Sequence, residues 1–255
     1  IEKALKKAKP YQKKGTLLSY DMLGEAACTQ GQAEEYFASY MRAIDAIGGA
    51  AKNDKACAIV YRPGISVKLS ALCPRYQTIY AKDCVPALVE KLTTLCQAAK
   101  DQDINLTVDA EEVERLDISI DIIDAILDNE SLADWHGFGL ALQGYQRSAL
   151  GLIEYLSQRA KDKGRVLQIR LVKGAYWDSE IKRAQAQGLD DYPVYTKKSH
   201  TDISYLACAK KLLEKDSPFY PMFATHNAQN IAAIVEMAAK SDVAFEFQRL
   251  FGMGQ

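Results

Sequence analysis

The sequence lacks the patterns that mark several classes of protein. No apolar run in its 255 residues reaches the roughly 20 residues that a membrane-spanning helix needs. The formal net charge is −1, so no excess of positive charge points to nucleic acid as a partner. Its cysteines have neither a C-x-x-C pair nor a regular spacing, which favours reduced thiols in a cytosolic protein over a disulfide framework. The six cysteines are Cys28, Cys57, Cys73, Cys84, Cys96 and Cys208.

Several short functional motifs are missing as well. The first strand-like segment is followed by DMLGEAA rather than G-x-G-x-x-G, so a dinucleotide-binding turn has no support there. Histidines and carboxylates are scattered without the spacing of a zinc site, so the sequence predicts no metal. It has no nucleophile elbow for a Ser-His-Asp triad, and no linker, repeat or low-complexity segment divides it.

What the sequence does contain is an alternation of two patterns. Short apolar segments typical of buried strands are each followed by apolar residues at helical spacing, except for the last one. Such alternation predicts a parallel sheet with helices outside it. The segments are TLLSYDML (16–23), GISVKLSAL (64–72), INLTVDAEE (104–112), FGLALQGY (138–145), VLQIRLVKG (166–174), YPMFATHN (220–227) and AFEFQRLFG (244–252).

Polar or charged residues occur near the carboxyl end of each predicted strand. The carboxyl ends of parallel strands meet at one edge, and a (β/α)8 barrel builds its active site there. We therefore predict an α/β fold of the TIM-barrel type, with an open, doubly wound sheet as the alternative. The strand-end residues are Asp21, Lys68, Asp109, Gln143, Arg170, Thr225 and Gln248.

Lys68 is the first candidate for chemistry. In a strand it would point inward, where a buried ammonium needs a partner, and Asp109 at the end of the next strand is the natural one. Three interpretations stay open. The pair could be structural, Lys68 could be a cation in a substrate pocket, or a neutral Lys68 could form a Schiff base.

Arg170 and Gln143 suggest a ligand rather than a metal. An inward arginine is always charged and must meet an anion or an electron-rich acceptor, and a glutamine both donates and accepts hydrogen bonds. Together with Thr225, His226 and Asn227 they suit a planar cofactor with many hydrogen-bonding groups. His226 taken alone is equally typical of a structural residue, and Asn227 of a helix cap.

The turn after the fifth segment carries Lys173, Gly174, Ala175, Tyr176 and Trp177. Gly174 allows close approach of the backbone to a bound group, and the two aromatic rings offer flat faces. Ordinary packing against a neighbouring loop is the alternative.

A hydroxyl-rich and basic stretch precedes a later helix. It contains Tyr195, Thr196, Lys197 and Lys198. Hydroxyls, lysines and a helix N-terminus together predict a phosphate site, and a solvated basic loop is the alternative.

The motifs around these residues resemble one family over essentially the whole chain. In order and with compatible spacing stand SYDMLGEAA, GISVKLSAL, RLVKGAYWDSEIKRAQ, YPVYTKKSHTDISYLACAKKLL, FATHNAQNIAAI and EFQRLFGMG. They are similar to the proline dehydrogenase domain of bifunctional bacterial proline utilization A (proline dehydrogenase/L-glutamate gamma-semialdehyde dehydrogenase). The resemblance implies a distorted (β/α)8 barrel with non-covalently bound FAD. It also implies oxidation of L-proline to Δ1-pyrroline-5-carboxylate, the first step of proline catabolism to glutamate, with electrons passed to a membrane quinone.

The resemblance also implies a role for most of the candidate residues. Arg170 would lie near flavin N5, and Gln143 and Val172 would contact the pyrimidine edge. The other residues implied around the cofactor are Gly174, Trp177, Tyr195, Thr196, Lys197, Lys198, Thr225, His226, Asn227, Gln248 and Leu250.

A second implied set lies on the proline side. It contains Lys68, Asp109, Ala175, Tyr176 and Leu250, with Glu25 as a match to a family glutamate near Lys68. Hydride transfer from proline Cδ to flavin N5 avoids a carbanion, so the protein has to hold Cδ at near-attack distance. Arg170, Lys68 and Asp109 are the predicted catalytic residues, and Arg170 would stabilise negative charge on the reduced ring.

The family implies elements that these residues do not include. An eighth strand and helix follow the Gly-Met-Gly motif there, and the helix carries two arginines that bind the proline carboxylate. Residues 1–15 are typical of the end of a preceding helix, and residues 16–255 supply strands one to seven. We expect a longer polypeptide, and impaired activity for these residues alone.

The resemblance extends to partners and location. It implies a covalently linked aldehyde dehydrogenase domain, a cytoplasmic location, with peripheral contact at the inner face of the bacterial membrane, and no nucleic-acid contact by this segment. Two other functions stay open from the residues. One is a Schiff-base lyase that uses Lys68 or Lys173, and the other is a non-catalytic flavin-binding or assembly module.

Overall fold

The computed structural model describes residues 1–51 and 58–253. Cys57 and the last two residues of the predicted barrel segment therefore lie outside the described residues. The chain divides into two compact units. The first comprises Ile1–Asp109 and Glu114–Gly139, and the second comprises Ala110–Val113 and Leu140–Gln255.

The first unit alternates strands and helices. Its strands β1, β2 and β3 are parallel and neighbour one another in that order, with Ser19 opposite Gly64 and Gly64 opposite Asn105. Every residue of β2 and β3 is buried, as is typical of parallel strands. The elements are α1 (Glu2–Gln12), β1 (Ser19–Asp21), α2 (Gln30–Ala51), β2 (Gly64–Val67), α3 (Leu69–Leu72), α4 (Ala81–Asp101), β3 (Asn105–Val108) and α5 (Leu116–Asp128).

The helices of the first unit pack through apolar stripes. In α4, Leu88, Leu92 and Leu95 are fully buried at spacings of three and four residues, which places them on one helix face. Burying each such side chain stabilises the fold by about 2 kcal/mol. The same periodicity appears in α5, where Ile122 and Ile126 are fully buried.

The second unit continues the alternation. Its first strand, β4, crosses the boundary between the units, because Phe138 and Gly139 belong to the first unit. The strand order is β4-β5-β6-β7, and β5, β6 and β7 are parallel. The elements are β4 (Phe138–Gln143), α6 (Ala149–Asp162), β5 (Leu167–Val172), α7 (Trp177–Ala186), α8 (Lys198–Leu212), β6 (Phe219–Ala224), α9 (Ala228–Ala238) and β7 (Glu246–Gln248).

The predicted alternation is confirmed, and one strand boundary is wrong. All seven predicted strands are present in the described residues. Strand β2, however, ends at Val67, and Lys68 caps the short helix α3. The predicted strand segment 64–72 is therefore too long, because Leu69 and Ser70 belong to this helix, where both are buried. Residues 1–15 do contain the predicted helix, α1.

Closure of the barrel stays a prediction. The part of the chain that the structure describes contains no strand after β7, so it tests neither an eighth strand nor an eighth helix. Among these same residues, no helix combines the length and the apolar character needed to cross a membrane.

Candidate active site

A three-residue charge cluster forms at the strand ends of the first unit. Asp21 ends β1, Lys68 follows β2 and Asp109 follows β3, so the parallel register brings them side by side. Lys68 Nζ lies 2.8 Å from Asp109 Oδ2 and 3.9 Å from Asp21 Oδ1. The predicted pairing of Lys68 with Asp109 is confirmed, and Asp21 adds a second carboxylate.

Tyr40 supports this cluster from helix α2. The Lys68 backbone N–H donates to the Tyr40 hydroxyl oxygen at 3.2 Å. The ring is 2% exposed, and burial raises the pKa of Tyr40 to about 12. The neutral hydroxyl thus fixes the backbone at Lys68. Sequence analysis missed this contact because Tyr40 lies 28 residues before Lys68 and no local pattern links them.

Glu25 lies in the loop after β1. It is exposed, and it makes no hydrogen bond or ion pair with a described residue. The loop itself is held by Ser70, whose hydroxyl and carbonyl oxygens accept the N–H groups of Ala26 and Ala27 at 3.0 and 2.9 Å. The predicted role of Glu25 near Lys68 stays a prediction.

Arg170 and Gln248 are in direct contact in the second unit. Arg170 Nε donates to Gln248 Oε1 at 2.8 Å, and Gln248 Nε2 donates to Glu246 Oε1 at 2.7 Å. The amide nitrogen also lies 3.2 Å from Met222 Sδ. Two residues that the sequence predicted separately are therefore linked, and the link continues to a carboxylate.

Glu246 and Tyr220 were not predicted. The Tyr220 hydroxyl donates to Glu246 Oε2 at 3.3 Å. Burial raises the pKa of the Glu246 carboxyl above its ordinary value, against the opposing effects of Gln248, Tyr220 and Arg170. The available signal was the alternation in β7, since Glu246 and Gln248 are two residues apart and share a strand face.

Gln143 joins two loops of the second unit. Its Nε2 donates to the carbonyl oxygen of Glu111 at 2.8 Å, and its Oε1 accepts the Ala175 N–H at 3.1 Å. The side chain is 2% exposed. A primary amide has a second N–H and a second lone pair, so a ligand contact is compatible with this arrangement and stays a prediction.

Gly174 approaches an aromatic ring closely. Its φ is +144°, and a Cβ at this position would lie 2.5 Å from the Tyr145 ring. The Tyr145 hydroxyl accepts the Tyr176 N–H at 3.2 Å, and burial raises the pKa of Tyr145. The requirement for glycine is thus explained by packing against the neighbouring loop, the alternative that the sequence left open.

Trp177 and Tyr195 are brought together. The indole Nε1 donates to the Tyr195 carbonyl oxygen at 3.0 Å, while the ring remains 42% exposed. The contact fixes the loop that leads into α8. Its exposed face leaves room for an aromatic ligand to stack.

Asp202 bridges two lysines near the N-terminus of α8. Lys198 Nζ lies 2.6 Å from one carboxylate oxygen, and Lys173 Nζ donates to the other. Lys173 first, and Lys198 second, hold the pKa of Asp202 below its usual range. Lys197 precedes the helix and is exposed, as is Thr196. Two cations and a helix N-terminus therefore occur together, which is the pattern that predicted a phosphate site.

The segment after β6 is organised by side-chain caps. Asn227 Oδ1 accepts the Asn230 N–H at 3.1 Å and caps α9, so the helix-cap interpretation of Asn227 is confirmed. Thr225 Oγ1 accepts the Asn227 N–H at 3.1 Å, and the Thr225 N–H donates to the Gln248 carbonyl oxygen at 3.3 Å. His226 is exposed beside them.

The remaining predicted residues contribute mainly backbone groups. The Val172 carbonyl oxygen accepts the Gly144 N–H at 2.8 Å. Leu250 is 65% exposed after β7. Within residues 1–51 and 58–253, no group of three or more His, Cys, Asp or Glu side chains is placed to hold a metal ion.

The donor set of the second unit has a clear chemical character. It combines the Arg170 guanidinium, the Gln143 amide, the exposed Trp177 ring and the Lys197 and Lys198 side chains at a helix start. These groups suit a ligand with a planar aromatic part, several acceptors and phosphate groups.

A family model described as proline dehydrogenase matches residues 4–255. The chain belongs to the proline dehydrogenase family. The members of this family are oxidoreductases, and the resemblance stated from the motifs is confirmed by the match.

Related proteins and solved structures agree with the assignment. The bifunctional protein PutA of Salmonella typhimurium is 49% identical over 257 residues, which is all of this chain and 19% of that protein. Proline dehydrogenase 1 of Bacillus subtilis is 25% identical over 256 residues, which cover 99% of this chain and 72% of that protein. The crystal structure of the D779Y mutant of Bradyrhizobium japonicum proline utilization A has a TM-score of 0.91 and 52% identity. It covers 100% of this chain and 25% of that one.

The chain therefore spans about a fifth of the length of the PutA relatives that it matches.

Proposed function

We propose that this chain is the proline dehydrogenase domain of a longer bifunctional protein. It would oxidise L-proline to Δ1-pyrroline-5-carboxylate, the first step of proline catabolism to glutamate. The observation that carries the proposal is the proline dehydrogenase family match over residues 4–255. The charge clusters at the strand ends of both units support it, because this edge of a parallel sheet is where such folds bind ligands.

FAD is the cofactor that the donor set of the second unit fits best. When bound, FAD would supply the hydride acceptor, its N5 atom, and a route for the electrons to a membrane quinone. Arg170 would orient the ring and offset developing negative charge. Gln143, Val172 and Gln248 would bind the ring edge, Gly174, Trp177 and Leu250 would surround it, and the rest of the cofactor would be held by Tyr195, Thr196, Lys197, Lys198, Thr225, His226 and Asn227.

Proline would be held by the Lys68 and Asp109 side chains. The Lys68–Asp109 pair, at 2.8 Å, offers a donor and an acceptor in fixed positions, which suits a small zwitterion. Ala175, Tyr176 and Leu250 would exclude water from the ring of the substrate, and Glu25 would lie near its polar end. The work of these residues is to orient the substrate.

The contacts of both candidate lysines argue against the Schiff-base alternative. A Schiff-base lysine must present a neutral amine. Lys68 donates to Asp109, and Lys173 donates to Asp202, so both amino groups are already engaged by carboxylates. The geometry therefore supports a binding or electrostatic role for these residues.

The proposal for the whole protein follows the longer relatives. It includes a covalently linked aldehyde dehydrogenase domain, a cytoplasmic location with contact at the inner face of the bacterial membrane, and no contact of this segment with nucleic acid.

The visible spectrum of the purified full-length protein tests the proposed function. We expect a flavin absorbance that is bleached by L-proline without air and that returns with a quinone. A colourless protein that borohydride and substrate trap as a covalent adduct would establish the lyase alternative. A yellow protein that proline does not bleach would establish a flavin-binding or assembly module instead.

A further inference from the structure

One carboxylate in the second unit has no part in the function proposed so far. Glu246 begins strand β7, and its register partner on β6 is Met222, which itself pairs with Arg170 on β5. Glu246 and Arg170 thus lie in one row across three adjacent parallel strands, separated by a thioether side chain. Gln248, two residues further along β7, contacts both of them.

The amide of Gln248 has one orientation that satisfies both neighbours. Its carbonyl oxygen accepts from Arg170 Nε at 2.8 Å, and its nitrogen donates to Glu246 Oε1 at 2.7 Å. A rotation of the amide by half a turn would set the carbonyl oxygen against the carboxylate and the N–H groups against the guanidinium. Both hydrogen bonds would be lost, because a carboxylate only accepts and a guanidinium only donates. Glu246 therefore selects the orientation that receives Arg170.

Glu246 is itself held in place from β6. The Tyr220 hydroxyl donates to its second oxygen at 3.3 Å, and the Tyr220 side chain is 5% exposed. Both carboxylate oxygens thus have a partner. The four side chains form one chain of contacts, from Tyr220 through Glu246 and Gln248 to Arg170, and we call it the β5–β7 relay.

We propose that Glu246 is a positioning residue, which orients the Arg170 guanidinium through Gln248 and places a negative charge behind it. The inference rests on the proposed function, in which Arg170 faces the flavin. Glu246 would not touch the cofactor or the substrate. It would act on the flavin through the direction and the net field of Arg170.

This arrangement has a measurable consequence for the flavin. The negative charge of Glu246 offsets part of the positive field of Arg170, so it disfavours the more negative, reduced flavin. Replacing Glu246 with Gln removes the charge and keeps an acceptor for Gln248, while the new amide nitrogen donates to the Tyr220 hydroxyl oxygen instead of accepting from it. We therefore expect Glu246→Gln to raise the midpoint potential of the bound flavin.

The expected shift depends on pH. The charged and titratable groups that face Glu246 among the described residues are Arg170 on β5 and Tyr220 on β6, with the uncharged Gln248 beside it. Burial raises the pKa of Glu246, so its charge is present at high pH and is lost as the pH falls through that raised value. The difference between parent and variant should be largest at high pH, where Glu246 is ionised, and should shrink towards zero in acid.

The test is a potentiometric titration of flavin absorbance in the full-length protein. For Glu246→Gln at pH 8 we expect at least a tenfold shift of the equilibrium towards reduced flavin, which corresponds to about 30 mV for a two-electron couple. Glu236→Gln is the matched control, because Glu236 is an exposed carboxylate of α9 outside the relay. Its potential should equal that of the parent at every pH.

A second variant keeps the test decisive if Glu246→Gln fails to hold flavin. Tyr220→Phe retains the charge and removes one hydrogen bond that stabilises the charged carboxylate. The pH at which the potential changes should therefore move upward relative to the parent.

The outcomes separate this inference from the proposed function. A parent protein that binds no flavin, or whose flavin proline does not reduce, overturns the proposed function and this inference with it. A parent that proline bleaches normally, combined with variants whose potentials follow the parent at every pH, overturns the role of Glu246 alone.

Discussion

The strand-end cations of the two units contact different kinds of group. In the first unit, Lys68 Nζ meets the Asp109 carboxylate directly at 2.8 Å, and Asp21 lies at 3.9 Å. In the second unit, Arg170 meets a neutral amide, and the nearest carboxylate in the β5–β7 relay is one residue further away. Lys68 thus contacts a carboxylate directly, and Arg170 contacts an amide that also donates to a carboxylate.

This difference suits two kinds of ligand. A directly paired lysine and aspartate present a donor and an acceptor with little net charge, which matches a zwitterion such as proline. A guanidinium held by an amide keeps its orientation and its positive field, which matches a ring that gains negative charge. On the proposed function, the Lys68–Asp109 pair serves the substrate and Arg170 serves the cofactor.

Arg170→Met removes the strand-end cation of the second unit and should have the largest effect of these substitutions on turnover. Loss of one preorganised charge contact costs about 3 kcal/mol of transition-state stabilisation, or roughly a hundredfold in kcat. Steady-state proline oxidation by the full-length protein measures it, with Arg159→Met in α6 as the control. Near-normal turnover of a folded, yellow variant would show that Arg170 is not at the flavin.

Gly174→Ala tests the close packing of Gly174 against the Tyr145 ring. A Cβ at Gly174 would meet the Tyr145 ring at 2.5 Å at a φ of +144°, so we expect a loss of about 2 to 3 kcal/mol in the free energy of unfolding. Denaturant unfolding of the protein without flavin measures it.

Gly188→Ala is the matched control for this variant. Gly188 also has a positive φ, +63°, but nothing lies within 4 Å of its added Cβ, so it reports the backbone cost without the clash. Equal losses in the two variants would contradict the packing explanation of Gly174.

Lys68→Met removes the strand-end cation of the first unit. Removing a hydrogen bond to a charged group costs about 2 kcal/mol, so kcat/KM for proline should fall roughly thirtyfold while flavin content stays unchanged. Lys91→Met is the control, because Lys91 also pairs with a carboxylate at 2.8 Å in the first unit, on helix α4. If Lys68→Met purified without flavin, Lys68 would belong to the cofactor site.

Asp202→Asn tests a directly paired carboxylate in the second unit, since Asp202 pairs with both Lys173 and Lys198. Because the pKa of Asp202 is lowered in the folded protein, the ionised carboxylate stabilises the fold at pH values above its ordinary pKa. This stabilisation is lost as the pH falls through the lowered pKa. We expect Asp202→Asn to lower the free energy of unfolding by about 1 kcal/mol at neutral pH.

The pH dependence identifies the cause of that loss. Parent and Asp202→Asn should converge in acid, where Asp202 is protonated in both the folded and the unfolded parent. Asp242→Asn, an exposed carboxylate before β7, serves as the control and should leave the curve unchanged. A loss that persisted at the lowest pH would rule out the ion pairs as its source.

Tyr40→Phe should have the smallest effect. It removes the acceptor for the Lys68 N–H and should cost about 1 kcal/mol at neutral pH. The pKa of Tyr40 is raised from 10.0 to about 12, so its contribution is present below pH 10 and is lost as the pH rises towards 12. The parent should lose stability in that window more steeply than Tyr40→Phe, whereas Tyr155→Phe, at a residue 42% exposed, should leave the slope unchanged.

The fold was predictable because it depends on patterns that single residues carry. Apolar segments, all but the last followed by helical spacing, predicted every strand of the described residues. Parallel order predicted the contact between Lys68 and Asp109. The end of β2 was not predictable, because Leu69 and Ser70 suit either a strand or a buried helical turn. That choice depends on the loop at Ala26 and Ala27, which Ser70 holds.

Parts of the site depend on long-range contacts that no local pattern carries. Tyr40 reaches the Lys68 backbone from α2, and the Gln143 amide is committed to Glu111 and Ala175. Glu246 was missed because its importance comes from the amide between it and Arg170. Family resemblance assigned roles to the residues, but the supporting contacts needed the structure.

Anaerobic bleaching of the flavin by L-proline tests most directly the claim that Lys68 acts on the substrate and Arg170 on the flavin. It is performed on the full-length parent, Lys68→Met and Arg170→Met. We expect the flavin of Lys68→Met to be bleached roughly thirtyfold more slowly at limiting proline, with an unchanged flavin spectrum and potential. Arg170→Met should show a lower flavin potential, because the cation that stabilises the reduced ring is gone. The reverse pattern, in which Lys68→Met alters the potential and Arg170→Met alters only the proline requirement, would contradict the account.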